Sequence, residues 1–217
     1  DVYGEAVERL AATLEPAAVD FVMLVSLIGM EPSVDVVSSV VDNCGLNVDV
    51  EYVFEELLGR GILVGTDDGG VRFSHVMIRE AWQTRATKEG AHASWQRAIG
   101  RELERVGADP GRIGLHLHRA GEPEALSFLR EGGTDALNRG EYALALNYFE
   151  AALDARREHG LDGGERLVDL GAALGRLAIR RSNKSVYHDA LGVLGEVESR
   201  RSDGWGAWIR GSWRALS

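Results

Sequence analysis

Apolar residues recur at helical spacing along most of the chain, and short glycine-containing breaks separate one stretch from the next. Steps of three and four residues place apolar side chains on one face of a helix. The first stretch, for example, has Val2, Ala6, Leu10 and Leu14 at steps of four. A glycine directly after such a stretch is typical of a helix end. The pattern therefore predicts a mostly α-helical protein made of short helices.

One segment departs from the helical pattern and predicts a β-hairpin. Residues 62–64 and 71–73 are short runs of β-branched, aromatic and aliphatic residues, and the turn sequence Asp-Asp-Gly-Gly lies between them. Three predicted helices precede this hairpin, and a glycine follows each of them. Three helices followed by a hairpin are the outline of a winged helix. We therefore expect residues 1–87 to form a winged-helix domain with an N-terminal linking helix.

The rest of the chain, residues 88–217, predicts a series of antiparallel helical hairpins, because its helical stretches are joined by short loops. The predicted helices cover residues 91–106, 111–120, 123–138, 141–158, 163–181, 186–200 and 205–216. Two of them share steps of three, four and three residues: Tyr142, Ala145, Phe149 and Ala152 in one, and Tyr187, Ala190, Leu194 and Val197 in the other. This register, with small residues at Gly133 and Ala136, is typical of tetratricopeptide repeats. We therefore expect a tetratricopeptide-like solenoid; generic helical hairpins remain the alternative.

Charge is divided unevenly along the sequence. Residues 1–80 contain 15 acidic and 4 basic side chains, whereas residues 81–217 contain 19 acidic and 20 basic ones. The third predicted helix carries Glu51, Glu55 and Glu56, where a DNA-binding winged helix would offer basic or amide side chains to the bases. Because binding to DNA depends on neutralising phosphates, direct binding of nucleic acid by this domain is not expected.

Motifs for catalysis or metal binding are not recognisable in the sequence. It contains no G-x-x-x-x-G-K-[ST] phosphate loop, no G-x-S-x-G elbow and no H-E-x-x-H pair. Cys44 is the single cysteine, which excludes an internal disulfide and predicts a small buried side chain. His116 and His118 are two residues apart on a predicted helix and point in different directions, so they cannot share a metal ion. We expect no catalytic residue, no metal site and no membrane span in this chain, whose apolar runs are too short to cross a bilayer.

Residues 73–81, Phe-Ser-His-Val-Met-Ile-Arg-Glu-Ala, resemble the F-x-H-x-x-[IV]-R-E-A segment of STAND signal-transduction ATPases, which include the large LuxR-type ATPase transcription regulators. Residues 115–122 and the repeat at 140–153 agree with this resemblance, which covers residues 7–155 in all. It implies a winged helix that follows a nucleotide-binding domain, and a repeat region that forms a sensor arm. The chain does not begin with Met, and we expect it to be a piece of a longer protein with that domain upstream.

The resemblance singles out His75 as a cofactor-binding residue. It corresponds to the histidine of the Met-His-Asp motif in related plant and animal proteins, which contacts the β-phosphate of bound ADP. Ser74 and Val76 stand where that motif has Met and Asp. A histidine at the start of a helix suits a phosphate physically. The alternative is that His75 only caps its helix and braces the hairpin.

These observations predict a cytoplasmic regulatory fragment without enzymatic activity or a cofactor of its own. The resemblance implies that the full-length protein binds ADP and ATP, that the winged helix latches the ADP-bound state, and that the arm binds a protein or small-molecule inducer. Two alternatives stay open: a DNA-binding winged-helix transcription factor with a helical dimerisation tail, and a plain tetratricopeptide scaffold for protein interaction.

Overall fold

The computed structural model describes residues 2–67, 70–89 and 92–160. In these residues the protein is mostly α-helical with one two-stranded sheet, as predicted. The elements are α1 (Val2–Ala11), α2 (Pro16–Ile28), α3 (Val34–Cys44), α4 (Val50–Gly59), β1 (Leu63–Gly65), β2 (Val71–Phe73), α5 (Val76–Glu89), α6 (His92–Arg105), α7 (Pro110–Arg119), α8 (Ala125–Arg139) and α9 (Tyr142–His159). The helices predicted over residues 163–181, 186–200 and 205–216, and with them the second repeat, lie outside the described part of the chain.

The chain divides into two compact units. The first unit comprises residues 1–108 and 119–122, and the second comprises residues 109–118 and 123–217. Helix α6 belongs to the first unit because it packs against α3. Trp95, Ile99 and Leu103 form its buried apolar face. This burial of α6 is why the first unit extends beyond residue 87.

Helix α6, which packs against α3, carries a buried carboxylate. Glu102 is 3% exposed, and its oxygens accept hydrogen bonds from Arg105 at 2.6 and 2.9 Å. Hydrogen bonds from Arg105 and from Ser39 on α3 hold the pKa of Glu102 below its usual value, although burial acts in the opposite direction. The charge is therefore tolerated at this position because it is hydrogen-bonded.

Helix α2 is the centre of the first unit. Ten of its 13 residues are buried, and Phe21, Val22, Leu24 and Val25 have no exposed surface. Pro16 occupies its first turn, where the missing N–H of proline costs nothing, as predicted. A helix that is apolar on every side must be enclosed by other elements, and α3 and α5 both pack against it.

The hairpin follows α4 and is tied back to the segment after α2. Leu63 pairs with Phe73 in an antiparallel register, and both side chains are buried. The backbone N–H of Phe73 donates to the carbonyl of Met30 at 3.1 Å, and that of Ser74 donates to Ile62 at 2.9 Å. These bonds fix the direction in which the chain leaves β2 and enters α5. The predicted turn residue Asp68 lies outside the described residues.

The second unit contains α7, α8 and α9, and its helices approach closely where glycines replace side chains. Gly133 of α8 lies under the ring of Phe149 of α9, so an added Cβ would come within 2.6 Å of that ring. Gly140 ends α8 in the left-handed conformation at φ 80°, which favours glycine. Ala136, Ala145 and Ala152, predicted to lie between paired helices, are all buried.

Among the described helices, none combines the length and the apolar character needed to cross a membrane.

Candidate functional site

His75 lies between β2 and α5 and caps the helix. Its Nδ1 atom accepts a hydrogen bond from the backbone N–H of Met77 at 3.2 Å. Its carbonyl oxygen accepts bonds from the N–H groups of Ile78 and Arg79 at 3.1 and 3.2 Å. A side-chain acceptor at this position satisfies one of the backbone donors that a helix start leaves unpaired. This is the geometry that the capping interpretation of His75 predicted.

The imidazole of His75 also stacks on Tyr3 of α1. The ring centroids are 5.6 Å apart and the planes are inclined by 20°. Because Nδ1 accepts a bond, the neutral ring carries its proton on Nε2, on the edge that faces away from the first turn of α5. His75 is exposed as a whole residue. The sequence contains no local signal for the stacking partner, which is 72 positions away.

The arginine of the same segment connects α5 to the end of α2. Arg79 donates through Nε to the carbonyl oxygen of Ser26 at 3.2 Å, and Gln83 donates to the same oxygen at 2.9 Å. The last carbonyls of a helix have no partner within the helix, and a cation near them is favourable. Arg79 and Gln83 therefore position α5 and, with it, His75. Their role was not predicted, because nothing in the local pattern links them to α2.

Two polar groups next to this site are buried without a hydrogen-bond partner in the described structure. They are the hydroxyl of Ser74 and the indole N–H of Trp82. Trp82 is fully buried and Ser74 is partly buried. A buried donor that stays unpaired costs about 1–3 kcal/mol.

The first unit also has two open clefts. One, of about 540 Å³, lies between α1 and α5 and is lined in part by Glu8, Arg85 and Lys88. The other, of about 520 Å³, lies beside the hairpin and the start of α3, and its lining includes Glu31 and Arg72. Neither lining contains a histidine or a cysteine.

Two further histidines and the cysteine lie among the described residues. His116 is buried at 5% exposure, and the Nδ1 atom of His118 lies 3.6 Å from Glu158. Cys44 was predicted to be buried but is of intermediate exposure, and this partial burial raises the pKa of its thiol to about 11, which makes it a poor nucleophile at neutral pH. In the part of the chain that the structure describes, no three His, Cys, Asp or Glu side chains are arranged to hold a metal ion.

A polar cluster in the second unit joins the start of α7, the end of α8 and the interior of α9. Asp109 precedes α7 and accepts bonds from the backbone N–H of Arg112 at 3.0 Å and from the hydroxyl of Tyr148 at 2.8 Å. Arg139 at the end of α8 lies 3.5 Å from the other carboxylate oxygen. Burial and the bond to Asp109 raise the pKa of Tyr148 far above its usual value. The cluster therefore links α7, α8 and α9.

Comparisons with other proteins leave this site without a characterised counterpart. No protein-family model, no curated protein and no solved structure matches the chain. The resemblance to STAND ATPases therefore rests on the residues of the sequence, and its functional consequences are proposals.

Proposed function

We propose that the chain is the regulatory part of a cytoplasmic STAND-type signalling ATPase. In this proposal the elements from α2 to β2 are its winged helix, and α7 to α9 begin its tetratricopeptide-like sensor arm. The observation that carries the proposal is the position of His75. It directly follows the hairpin, it caps α5 through Nδ1, and it is exposed.

The proposed contact is a hydrogen bond from Nε2 of His75 to the β-phosphate of ADP, which is held by a nucleotide-binding domain upstream. The cap at Met77 and the stack on Tyr3 hold the imidazole in one orientation before the nucleotide arrives. A donor held in place in this way loses little entropy on binding. One bond to a charged phosphate contributes about 1.5–3 kcal/mol, enough to change ADP affinity roughly tenfold to a hundredfold.

The proposed regulation is a shift between two states. The winged helix would favour the closed, ADP-bound state through His75, and a protein or small-molecule inducer on the arm would favour the open state. A ligand shifts such an equilibrium only by its difference in affinity for the two states. Support for a repeat arm comes from Gly133 and Phe149, which pack together between α8 and α9 as the repeat register predicts.

The charges on the first unit argue against direct DNA binding. Glu51 and Glu55 are on α4, the helix in the place of the recognition helix, and α4 contains no Lys or Arg. The negative charges of these carboxylates would repel DNA phosphates. The output of the protein is therefore proposed to lie in another domain.

The test begins with the coding sequence upstream of residue 1, where the proposal expects a G-x-x-x-x-G-K-[ST] phosphate loop. The release rate of ADP is then measured on the full-length protein and on two variants. His75→Ala removes both the cap and the phosphate donor. His75→Asp keeps a capping acceptor but places a negative charge toward the phosphate. Both variants should release ADP roughly tenfold to a hundredfold faster than the natural protein.

Asp49→Ala is the matched control, because Asp49 caps α4 by accepting from the N–H of Tyr52 at 3.0 Å. Its loss destabilises the same unit by about 1 kcal/mol without touching the proposed nucleotide contact. ADP release at the natural rate from His75→Asp, or equally fast release from Asp49→Ala and His75→Ala, would reject the phosphate contact. Absence of a phosphate loop upstream would reject the STAND assignment as a whole.

A further inference from the structure

Helix α4 turns one face into the core, and residues on its opposite face are exposed. Val53, Phe54 and Leu57 are buried, and the ring of Phe54 meets that of Phe21 edge to face with centroids 5.1 Å apart. These contacts fix the rotation of the helix about its axis. As a result Tyr52 is 63% exposed and Leu58 is 38% exposed, although both are large apolar side chains.

The same face carries negative charge that the protein does not neutralise. Glu56 is paired with Arg60 at 2.8 Å. Glu51 and Glu55 form no ion pair with any residue in the described ranges. At 100° per residue, Glu55 falls between Tyr52 and Leu58 around the helix, and Glu51 lies one turn before Glu55. Unpaired carboxylates and exposed apolar side chains are thus combined in one stripe.

The stripe also has room for a partner's side chain. Gly59 lies two turns beyond Tyr52 on the same line, and no atom lies within 4 Å of the place where its Cβ would be. A large aromatic side chain beside open space and acidic groups fits a guanidinium, which stacks on aromatic rings and pairs with carboxylates.

We propose that this outward face of α4, formed by Glu51, Tyr52, Glu55 and Leu58, is a docking surface for a basic, arginine-containing segment of a partner protein. Charge complementarity selects that partner class. Nucleic acids and anionic lipid surfaces would bring phosphates against Glu51 and Glu55 and are disfavoured. The surface does not depend on the proposed nucleotide contact at His75, since it lies on a different helix.

The test uses the 217-residue chain and a synthetic, fluorescein-labelled amphipathic peptide with Arg and Leu at helical spacing. Binding is measured by fluorescence anisotropy at low and at physiological salt. The double variant Glu51→Gln with Glu55→Gln should weaken binding by at least about fivefold, which is the expected effect of losing two exposed ion pairs. Tyr52→Ala should weaken it by a similar factor, and the melting temperatures of both variants should stay close to that of the natural chain.

The matched control is Glu131→Gln with Glu150→Gln, which makes the same change in net charge at two exposed carboxylates on α8 and α9. It should leave peptide affinity within about twofold, because it leaves all four residues of the proposed surface unchanged. Equal weakening by the control pair, or unchanged affinity in Tyr52→Ala, would overturn the proposal, since binding would then reflect net charge alone. Tighter binding of duplex DNA than of the peptide would also overturn it.

Discussion

The imidazole of His75 is held by two contacts of different kinds, the hydrogen bond to Met77 and the stack on Tyr3. For Cys44, in contrast, the described cause is partial burial, which raises the pKa of its thiol. Each of these two residues therefore gives a prediction with one measured quantity: the free energy of unfolding for His75 and the rate of thiol reaction for Cys44.

For His75, the cap predicts a stability effect that can be measured on this chain without nucleotide. His75→Ala should lower the free energy of unfolding by about 1 kcal/mol, because an N–H at the start of α5 loses its acceptor. His75→Asp should recover most of this loss. Urea denaturation followed by circular dichroism measures both changes. Equal destabilisation by Ala and Asp would show that the cap contributes nothing.

For Cys44, the thiol pKa of about 11, compared with 9.0 for an unperturbed thiol, predicts slow reaction with thiol reagents. At pH 8 the thiolate fraction should be about a hundredfold lower than for a free cysteine, because each pKa unit is a factor of ten. The rate of reaction with Ellman's reagent should rise steeply when the chain is unfolded in urea. Equal rates in the native and unfolded chain would contradict the burial of the thiol.

At the scale of the elements, the packing of α7, α8 and α9 depends on positions where a side chain is missing. Gly132 of α8 faces the backbone of Gly111 of α7, and Gly111 in turn faces the ring of Tyr148. An added methyl group at Gly132 would meet backbone atoms, which cannot move aside as a flexible side chain can. Gly59 of α4 is the opposite case, since its missing side chain borders open space.

The two glycines predict opposite effects of the same substitution. Gly132→Ala should destabilise the second unit by about 1–3 kcal/mol or more, because the methyl group overpacks a closed interface. Gly59→Ala should stabilise the first unit by about 0.5–1 kcal/mol, because alanine favours a helix. The melting temperatures of the two variants, compared with that of the natural chain, test both predictions. If Gly132→Ala melts at or above the natural temperature, the close approach of α7 and α8 is wrong.

The helices and the hairpin were predictable because their signals are local. Glycine breaks and apolar spacing placed most described helices within about two residues of their observed bounds, whereas the first helix, predicted to reach Leu14, ends at Ala11. The two short β-prone runs predicted the strands. The packing of α6 on α3 was not predictable, because an amphipathic pattern predicts that one helix face is buried but not which element packs against it. The bond from Tyr148 to Asp109 joins residues 39 positions apart and leaves no pattern in the sequence. At the site, the capping role of His75 followed from its position before a helix, whereas Tyr3 and Ser26 became visible only in three dimensions.

At the scale of the whole molecule, stability depends on pH through groups whose pKa differs between the folded and unfolded chain. The pKa of Tyr148 is raised in the folded protein, where its hydroxyl donates to Asp109. A raised pKa means that the folded chain holds the proton more tightly than the unfolded chain. The contribution of Tyr148 is therefore complete below about pH 10, the pKa of an unfolded tyrosine, and is lost as the pH rises above it.

Tyr148→Phe tests this dependence. At neutral pH the variant should be less stable by about 1 kcal/mol, because the bond to Asp109 is lost. Above pH 10 its stability should fall less steeply than that of the natural chain, because position 148 no longer titrates. Tyr52→Phe, at an exposed position, should change neither quantity. Urea denaturation at a series of pH values measures both, and parallel curves for all three proteins would contradict the buried hydrogen bond.

The enclosure of α2 on all sides has a consequence for solvent exchange. Amide protons in a helix with no exposed face reach deuterated water only when the surrounding unit opens as a whole, whereas the ends of a chain open locally. The slowest-exchanging amides of the first unit should therefore lie around Phe21, Val22 and Leu24. Mass-spectrometric exchange of a peptide that covers α2 would then report the global opening free energy of the first unit under native conditions, with no denaturant and no extrapolation.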